Sequence, residues 1–261
     1  MTIAALPMYD WPEARAATDA EWRGLRGCLA GAGVDAPEHL VRRNTELPAT
    51  PGGIRDGEGK VIAPDPATLP PDELDFPTLW KHPALLFAQT CWGPMEEGLG
   101  KHVTVIGQPS YDGIEGGQGE FYSSPILMRR GAAAPVGAPA DGRAVLPFDL
   151  IRDKRFAYNS TDSMSGIIAL TRDLAAAGQN LTIFSERIET AAHRASIVAV
   201  AEGRADVCAV DCRSWHLAKL HEPRVADVEV VGWTARRKGL PYITSRHTPP
   251  EMVARLRSAL G

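Results

Sequence analysis

Residues 156–177 change character twice within one stretch. They begin as a short apolar run, Phe156-Ala-Tyr158, and pass through Asn159, Ser160, Thr161, Asp162, Ser163, Ser165 and Gly166. They end as an apolar-periodic segment reaching about Ala177. The pattern predicts a strand, a hydroxyl-rich turn and a helix start. Such a unit belongs to an α/β chain, in which each strand hands over to a helix packed on the same sheet. The turn also has a chemical meaning. Backbone amides at a helix N-terminus lack intrahelical partners, and the macrodipole adds partial positive charge there. With hydroxyl donors around it, the turn can hold an anion without any Lys or Arg. The plainer reading is that Asp162 or Ser163 simply caps the helix.

The same alternation recurs along the chain. Residues 3–6 read as a buried strand, followed by a loop carrying Tyr9 and Trp11. Thr18-Asp-Ala-Glu21 matches a capping box, and Trp22, Leu25 and Leu29 follow at helical spacing until Gly33 stops the helix. Residues 44–77, rich in Pro, Gly and Asp, read as an irregular excursion with one short strand. Residues 85–89 and 102–106 read as further strands, the first ending in Gln89-Thr90-Cys91-Trp92 and the second followed by Pro109-Ser-Tyr111. The glycine-rich residues 113–119 lack the G-x-x-x-x-G-K-[ST] pattern of a nucleotide phosphate loop. Residues 120–129 read as one long strand, and 148–152 as a helical turn. Later strands are expected at 181–184, 206–211, 228–233 and 240–244. A helix starts near His193, and a second capping box, Thr248-Pro-Pro-Glu251, opens the last helix. Alternating strands and helices imply mostly parallel sheets, whose ligands sit at the carboxyl ends of strands. Polar and aromatic residues gather at such ends: Tyr9, Gln89, Thr90, Tyr111, Ser160, Thr161, Ser163, Ser165, His193 and Asp211.

Composition excludes several classes. The 261 residues carry 28 basic and 32 acidic side chains, a formal charge of −4, with no basic block. Nothing there suggests nucleic acid or an anionic membrane surface. No apolar run approaches the roughly 20 residues of a membrane span. The N-terminus has no positive segment and no long apolar stretch, so the sequence as written carries no secretory signal. Either the chain is cytoplasmic or a leader has been removed. Of the four cysteines, Cys208 and Cys212 are not at a zinc or redox spacing, and all four read as reduced and structural. No metal site and no cofactor are expected. Cys91 as a nucleophile would need a His partner that the sequence does not indicate.

Several pieces together resemble the substrate-binding proteins of phosphate, phosphite and phosphonate ABC transporters. They are Leu6-Pro-Met-Tyr-Asp-Trp-Pro12, Leu85-Leu-Phe-Ala-Gln-Thr-Cys91, Tyr158-Asn-Ser-Thr-Asp-Ser-Met-Ser-Gly166, His193-Arg-Ala-Ser196, Val200-Ala-Glu-Gly-Arg-Ala-Asp206, Ala209-Val-Asp211 and Gly239-Leu-Pro-Tyr242. Their order spans nearly the whole chain. The resemblance implies a type II periplasmic-binding-protein fold: two α/β lobes, each with a mixed sheet flanked by helices, and a cleft between them that closes by hinge motion. The first lobe would comprise residues 1–110 and 235–261 and the second 111–234, with crossings near 107–125 and 225–240.

The resemblance also implies roles. Ser160, Thr161, Ser163 and Ser165 would grip an oxyanion, with Ser163 and Ser165 foremost, and Tyr9 would cap it. His193 is a second donor, or a residue that only satisfies its helix start. Asp211 is an acceptor for a ligand amino or hydroxyl group, or a structural residue. The acidic Asp162 and the bulky Gln89-Thr90-Cys91-Trp92 loop depart from a minimal small-oxyanion site. They point to a larger or less negative ligand, with Trp11 and Trp92 either packing or touching its organic part. The function expected is that of a monomeric solute-binding protein, not an enzyme, delivering a phosphonate-like small molecule to an ABC permease in the periplasm. The alternatives are a cytoplasmic sensor or carrier, or an enzyme like the thiamine-precursor synthases, on the same fold.

Overall fold

A computed structural model describes residues 2–261. The chain divides into two compact units, Met1–Pro109 with Leu240–Gly261, and Ser110–Gly239. Residues 235–239, expected with the first lobe, belong to the second unit. Their short strand Arg237–Lys238 pairs antiparallel with Phe121–Tyr122, which holds them there.

The first unit is built on a four-stranded sheet. Its order is Ile3–Ala5, Leu85–Gln89, Tyr242–Ser245, Val103–Gly107. The first pair is parallel, and Tyr242–Ser245 runs antiparallel to both of its neighbours. Helices Arg15–Gly31 and Pro250–Leu260 cover one face, where Trp22, Leu29, Phe87, Tyr242, Val253 and Leu256 form one cluster. The Phe87 ring lies 5.4 Å from Trp22 and 4.8 Å from Tyr242. The other face packs Ile3, Leu85, Ala88 and Ile243 against Leu79 and Trp80 of the helix Phe76–Lys81. Apolar burial on both faces explains why residues 85–88 read as a continuous hydrophobic run rather than an alternating one. Residues 44–77 hold a hairpin, Ile54–Arg55 with Val61–Ala63, between one-turn helices, rather than a single short strand.

Neither expected capping box forms. The first helix begins at Arg15, continuing a turn that starts at Pro12, so Thr18 lies inside it and its hydroxyl donates back to the Ala14 carbonyl at 3.4 Å. The last helix starts from Pro249 and Pro250, whose fixed φ presets the first turn, while the Thr248 hydroxyl bonds Thr244 Oγ1 at 2.8 Å.

The second unit carries a five-stranded sheet, in the order Glu186–Glu189, Arg155–Tyr158, Val207–Ala209, Pro125–Arg129, Val228–Trp233. The first three strands are parallel, and Pro125–Arg129 runs antiparallel to both neighbours. Both sheets are thus mixed, not mostly parallel. One face buries Ile126, Phe156, Leu170, Leu174, Phe184 and Val207 in a single cluster. Burying each such side chain is worth about 1.5–3 kcal/mol. Residues 181–184, expected as a strand, form a one-turn helix, Leu181–Ile183, with Asn180 Oδ1 accepting from the Thr182 amide. The strand follows at Glu186–Glu189, on the sheet edge, where its charged side chains meet solvent and give no apolar signal. The long strand expected at 120–129 is broken at Ser123 and Ser124 into Phe121–Tyr122 and Pro125–Arg129.

Candidate functional site

The carboxyl end of the strand Arg155–Tyr158 opens into the hydroxyl turn. Ser163, not Asp162, caps the helical segment beyond it. Its Oγ accepts from the Gly166 amide at 3.0 Å, and its carbonyl accepts from the Ile167 and Ile168 amides at 3.2 and 3.1 Å. That double acceptance makes the first turn, Met164–Ile168, a π-type turn, which continues as the α-helix Ala169–Ala176. Single π turns are wider than α turns and recur at functional sites. Asp162 turns back on Ser160, whose hydroxyl donates to its Oδ1 at 2.6 Å. The carboxylate thereby consumes the Ser160 proton instead of capping. Thr161 is exposed.

Ser165 leads into a second set of groups. Its Oγ lies 3.0 Å from His193 Nε2, and that nitrogen is 3.4 Å from Asp211 Oδ2. His193 is the first residue of the helix His193–Ala201, and the His193 side chain is only 15% exposed. Asp211 follows the strand Val207–Ala209 and caps the helix Cys212–His221, its Oδ1 accepting from the Ser214 amide at 2.8 Å. A carboxylate can only accept, so the proton shared with Asp211 sits on Nε2. The other ring nitrogen, Nδ1, is buried with no hydrogen-bond partner among the described residues. Burial holds the His193 imidazole below the usual histidine range, against an opposing pull from the Asp211 charge. The ring is therefore neutral, with a bare lone pair on Nδ1.

Three residues that the sequence did not single out as binding groups belong to the same sheet end. Asn159 Oδ1 is buried with no partner among the described residues, and it lies so close over Gly166 that any Cβ there would overlap it. Ser124 is opposite Asp211, because Ala209 pairs with Ile126 and the Val210 amide donates to the Pro125 carbonyl at 3.3 Å. The Ser124 hydroxyl is buried with no partner among the described residues, while the Ser124 amide donates to Thr234 Oγ1 at 2.8 Å. The signal was the Ser-Ser-Pro break inside a run read as one strand. Ala191, two residues before His193, holds a left-handed φ of 66° without being glycine. Such a conformation costs about 1–2 kcal/mol for a residue with a Cβ, and here the flanking Thr190 hydroxyl fixes the loop by reaching the Tyr158 carbonyl at 3.0 Å.

The remaining predicted residues lie elsewhere. Tyr111 is wholly buried in the second unit, stacked on Tyr122 at 5.2 Å and packed against Gly117 and Gly239. Its ring serves packing there. Tyr9, Gln89 and Thr90 belong to the first unit, at the carboxyl ends of its two parallel strands, and all three are buried. Gln89 Nε2 and Thr90 Oγ1 are buried without hydrogen-bond partners among the described residues, a second pair of polar atoms at a strand end. The four cysteines are free, and burial pushes the Cys208 and Cys212 thiols far up, which leaves them inert as nucleophiles. Among the described residues no cluster of His, Cys, Asp or Glu could hold a metal ion, and no helix is long and apolar enough to cross a membrane.

Residues 101–261 match the family model of the periplasmic substrate-binding proteins of phosphonate ABC transporters. The chain belongs to that family. As a member of the phosphonate-transporter binding proteins it is a solute-binding protein of an ABC transporter, and the family is one of binding proteins rather than enzymes. Two solved structures share its fold. PhnD1 from Prochlorococcus marinus, in complex with methylphosphonate, is 15% identical, with 99% of this chain and 82% of that one aligned at a TM-score of 0.60. A binding protein component of an ABC phosphonate transporter from Pseudomonas aeruginosa is 12% identical, with 98% of this chain and 72% of that one aligned at a TM-score of 0.58. At these identities the likeness establishes the fold, the type II periplasmic-binding-protein architecture of the family. No curated protein sequence matches the chain significantly.

Proposed function

We propose that the chain captures a small phosphonate in its singly protonated form, at the serine turn of the second unit, and passes it to an ABC permease in the periplasm without chemical change. The observation that carries this reading is the coexistence of donors and bare acceptors at one sheet end. Ser163 and Ser165 keep hydroxyl protons to donate, and the helix behind them directs its positive pole at the same place. His193 Nδ1 and Asn159 Oδ1 are buried lone pairs that want a proton. An unpaired buried acceptor costs about 1–3 kcal/mol, so a ligand that supplies both acceptor oxygens and one hydroxyl satisfies more of the site than a fully ionised anion does. A phosphonate monoanion has that composition. The methylphosphonate complex of the Prochlorococcus protein supports the same ligand class.

In this reading Ser163, Ser165, His193 and Asn159 touch the oxyanion, and Asp211 holds His193. Thr161 presents its hydroxyl from the exposed rim, and Ser160 acts through Asp162. Gln89, Thr90 and Tyr9 are the first unit's own candidates, each open to separate substitution.

Isothermal titration with methylphosphonate, phosphite, phosphate and sulfate tests the reading. The expected result is tight 1:1 binding of methylphosphonate or phosphite at pH 6 and at least a hundredfold weaker binding of sulfate, which has no proton to give. Ser163→Ala and Ser165→Ala should each weaken binding tenfold or more. Equal affinity for sulfate, or serine variants that bind normally, overturns it.

A further inference from the structure

We infer that the first unit carries a second anion site, distinct from the serine turn, for a small ligand with two or more phosphate or carboxylate groups. It is a pocket of about 520 Å³, lined among others by Arg55, Lys81, Lys101, His102, Arg246 and His247. Its place in the sheet follows from the register. Ser245 pairs with Val103, and the Arg246 amide donates to the His102 carbonyl at 3.0 Å. Thr244 Oγ1 donates to the Leu85 carbonyl at 3.1 Å, so this is the amino end of the strand Leu85–Gln89. The pocket therefore lies at the end of the sheet opposite Gln89 and Thr90.

The charges are unbalanced. Four cationic side chains meet two carboxylates, Asp56 and Glu58, around one concavity. Both Asp56 and the far wall are already committed. Asp56 Oδ1 accepts from the Glu58 and Lys60 amides at 3.0 Å each, shaping the hairpin turn, and Lys81 Nζ donates to the Ile62 carbonyl at 3.1 Å, holding the hairpin as a wall. The Lys101 ammonium and the Arg246 guanidinium make no ion pair or hydrogen bond among the described residues. Burial holds the His102 imidazole below the usual range, with the Lys81 and Lys101 charges acting in the same direction and the Asp56 charge opposing them.

Two guanidinium groups, two ammonium groups and two imidazoles lining one concavity match a compact polyanion better than a single-charge ligand. The volume falls within the roughly 300–1,000 Å³ of small-molecule sites. Phosphate and carboxylate groups share the chemistry such a site recognises, and pyrophosphate and citrate serve as probes for the two.

Titration calorimetry on the full chain decides the matter. Pyrophosphate or citrate should bind 1:1, and the double variant Lys101→Gln/Arg246→Gln should weaken that binding at least tenfold. Arg246→Lys, which keeps the charge but loses the planar fork, should weaken binding less than the double variant does. Ser163→Ala should leave polyanion binding intact, which separates this site from the phosphonate reading. Absence of binding by either probe, equal binding by the double variant, or loss of binding in Ser163→Ala overturns the inference.

Discussion

Asp211 divides its carboxylate between two duties: Oδ2 stands 3.4 Å from His193 Nε2, while Oδ1 takes the Ser214 amide at 2.8 Å. One side chain thus starts the helix Cys212–His221 and fixes the tautomer of a histidine from another helix. The two duties can be separated. Asp211→Asn keeps an acceptor for Ser214 but removes the charge that holds the proton on Nε2. It should cost less than about 1 kcal/mol of stability and weaken methylphosphonate binding at least tenfold. Asp211→Ala should lose the cap as well, at about 0.5–2 kcal/mol. Urea unfolding beside calorimetry reads both quantities on the same samples.

His193 titrates low because it is buried, so protonation works against the folded state. Below about pH 6.5 the unfolded chain takes up a proton that the folded chain refuses, and stability falls. Above that pH the term vanishes. His82, His102 and His216 shift the same way. His193→Gln should therefore lessen the acid slope by up to about 1.4 kcal/mol per pH unit, the value for one proton, without abolishing it. Stability measured by urea between pH 5 and 8, wild type against variant, gives the slopes.

Gly166 has no room for a side chain, since a Cβ would collide with Asn159 Oδ1 and come within 2.9 Å of Ser163 Oγ. Gly166→Ala should destabilise by about 1–3 kcal/mol through overpacking and abolish phosphonate binding by moving the Ser163 cap. Adding Asn159→Ala should recover part of the stability and none of the binding. Thermal unfolding and titration of the single and double variants make the comparison.

Asp173 anchors the same helix from its far end. It is buried, accepts from the Ala235 amide at 2.8 Å and pairs with Arg237. Removing one partner of a buried pair costs about 3–5 kcal/mol, so Asp173→Ala should lower the midpoint of unfolding sharply. The double variant Asp173→Leu/Arg237→Met should regain much of that loss, a result readable by denaturant titration.

Much of this was legible in the residues. Runs buried on both faces, such as 85–88 and 228–233, announce strands through composition alone, and the Ser-rich turn announces a helix start. Local pattern failed where a neighbour in space decided the outcome. Thr18 reads as a cap, but Pro12 had already begun the helix. Residues 186–189 hold a strand only because Arg155–Tyr158 pairs with them, and an edge position lets them be charged. For the site, hydroxyl and histidine positions were readable as types, whereas Asn159 and Ser124 acquire meaning only from what they fail to touch. Tyr111 stood at a strand end in the sequence yet spends its ring on Tyr122.

The serine turn, Asp162, Asp211 and a neutral His193 together hold no positive formal charge and two negative ones. Under the proposed function, capture there rests on short-range dipoles. Arg172 reaches Met164 Sδ of the same turn at 3.8 Å, so an arriving anion meets charges of both signs there and is held by contact rather than drawn in from a distance. Added salt should therefore change the rate of encounter little. A transporter component built this way gains its selectivity after collision, in how slowly the right ligand leaves.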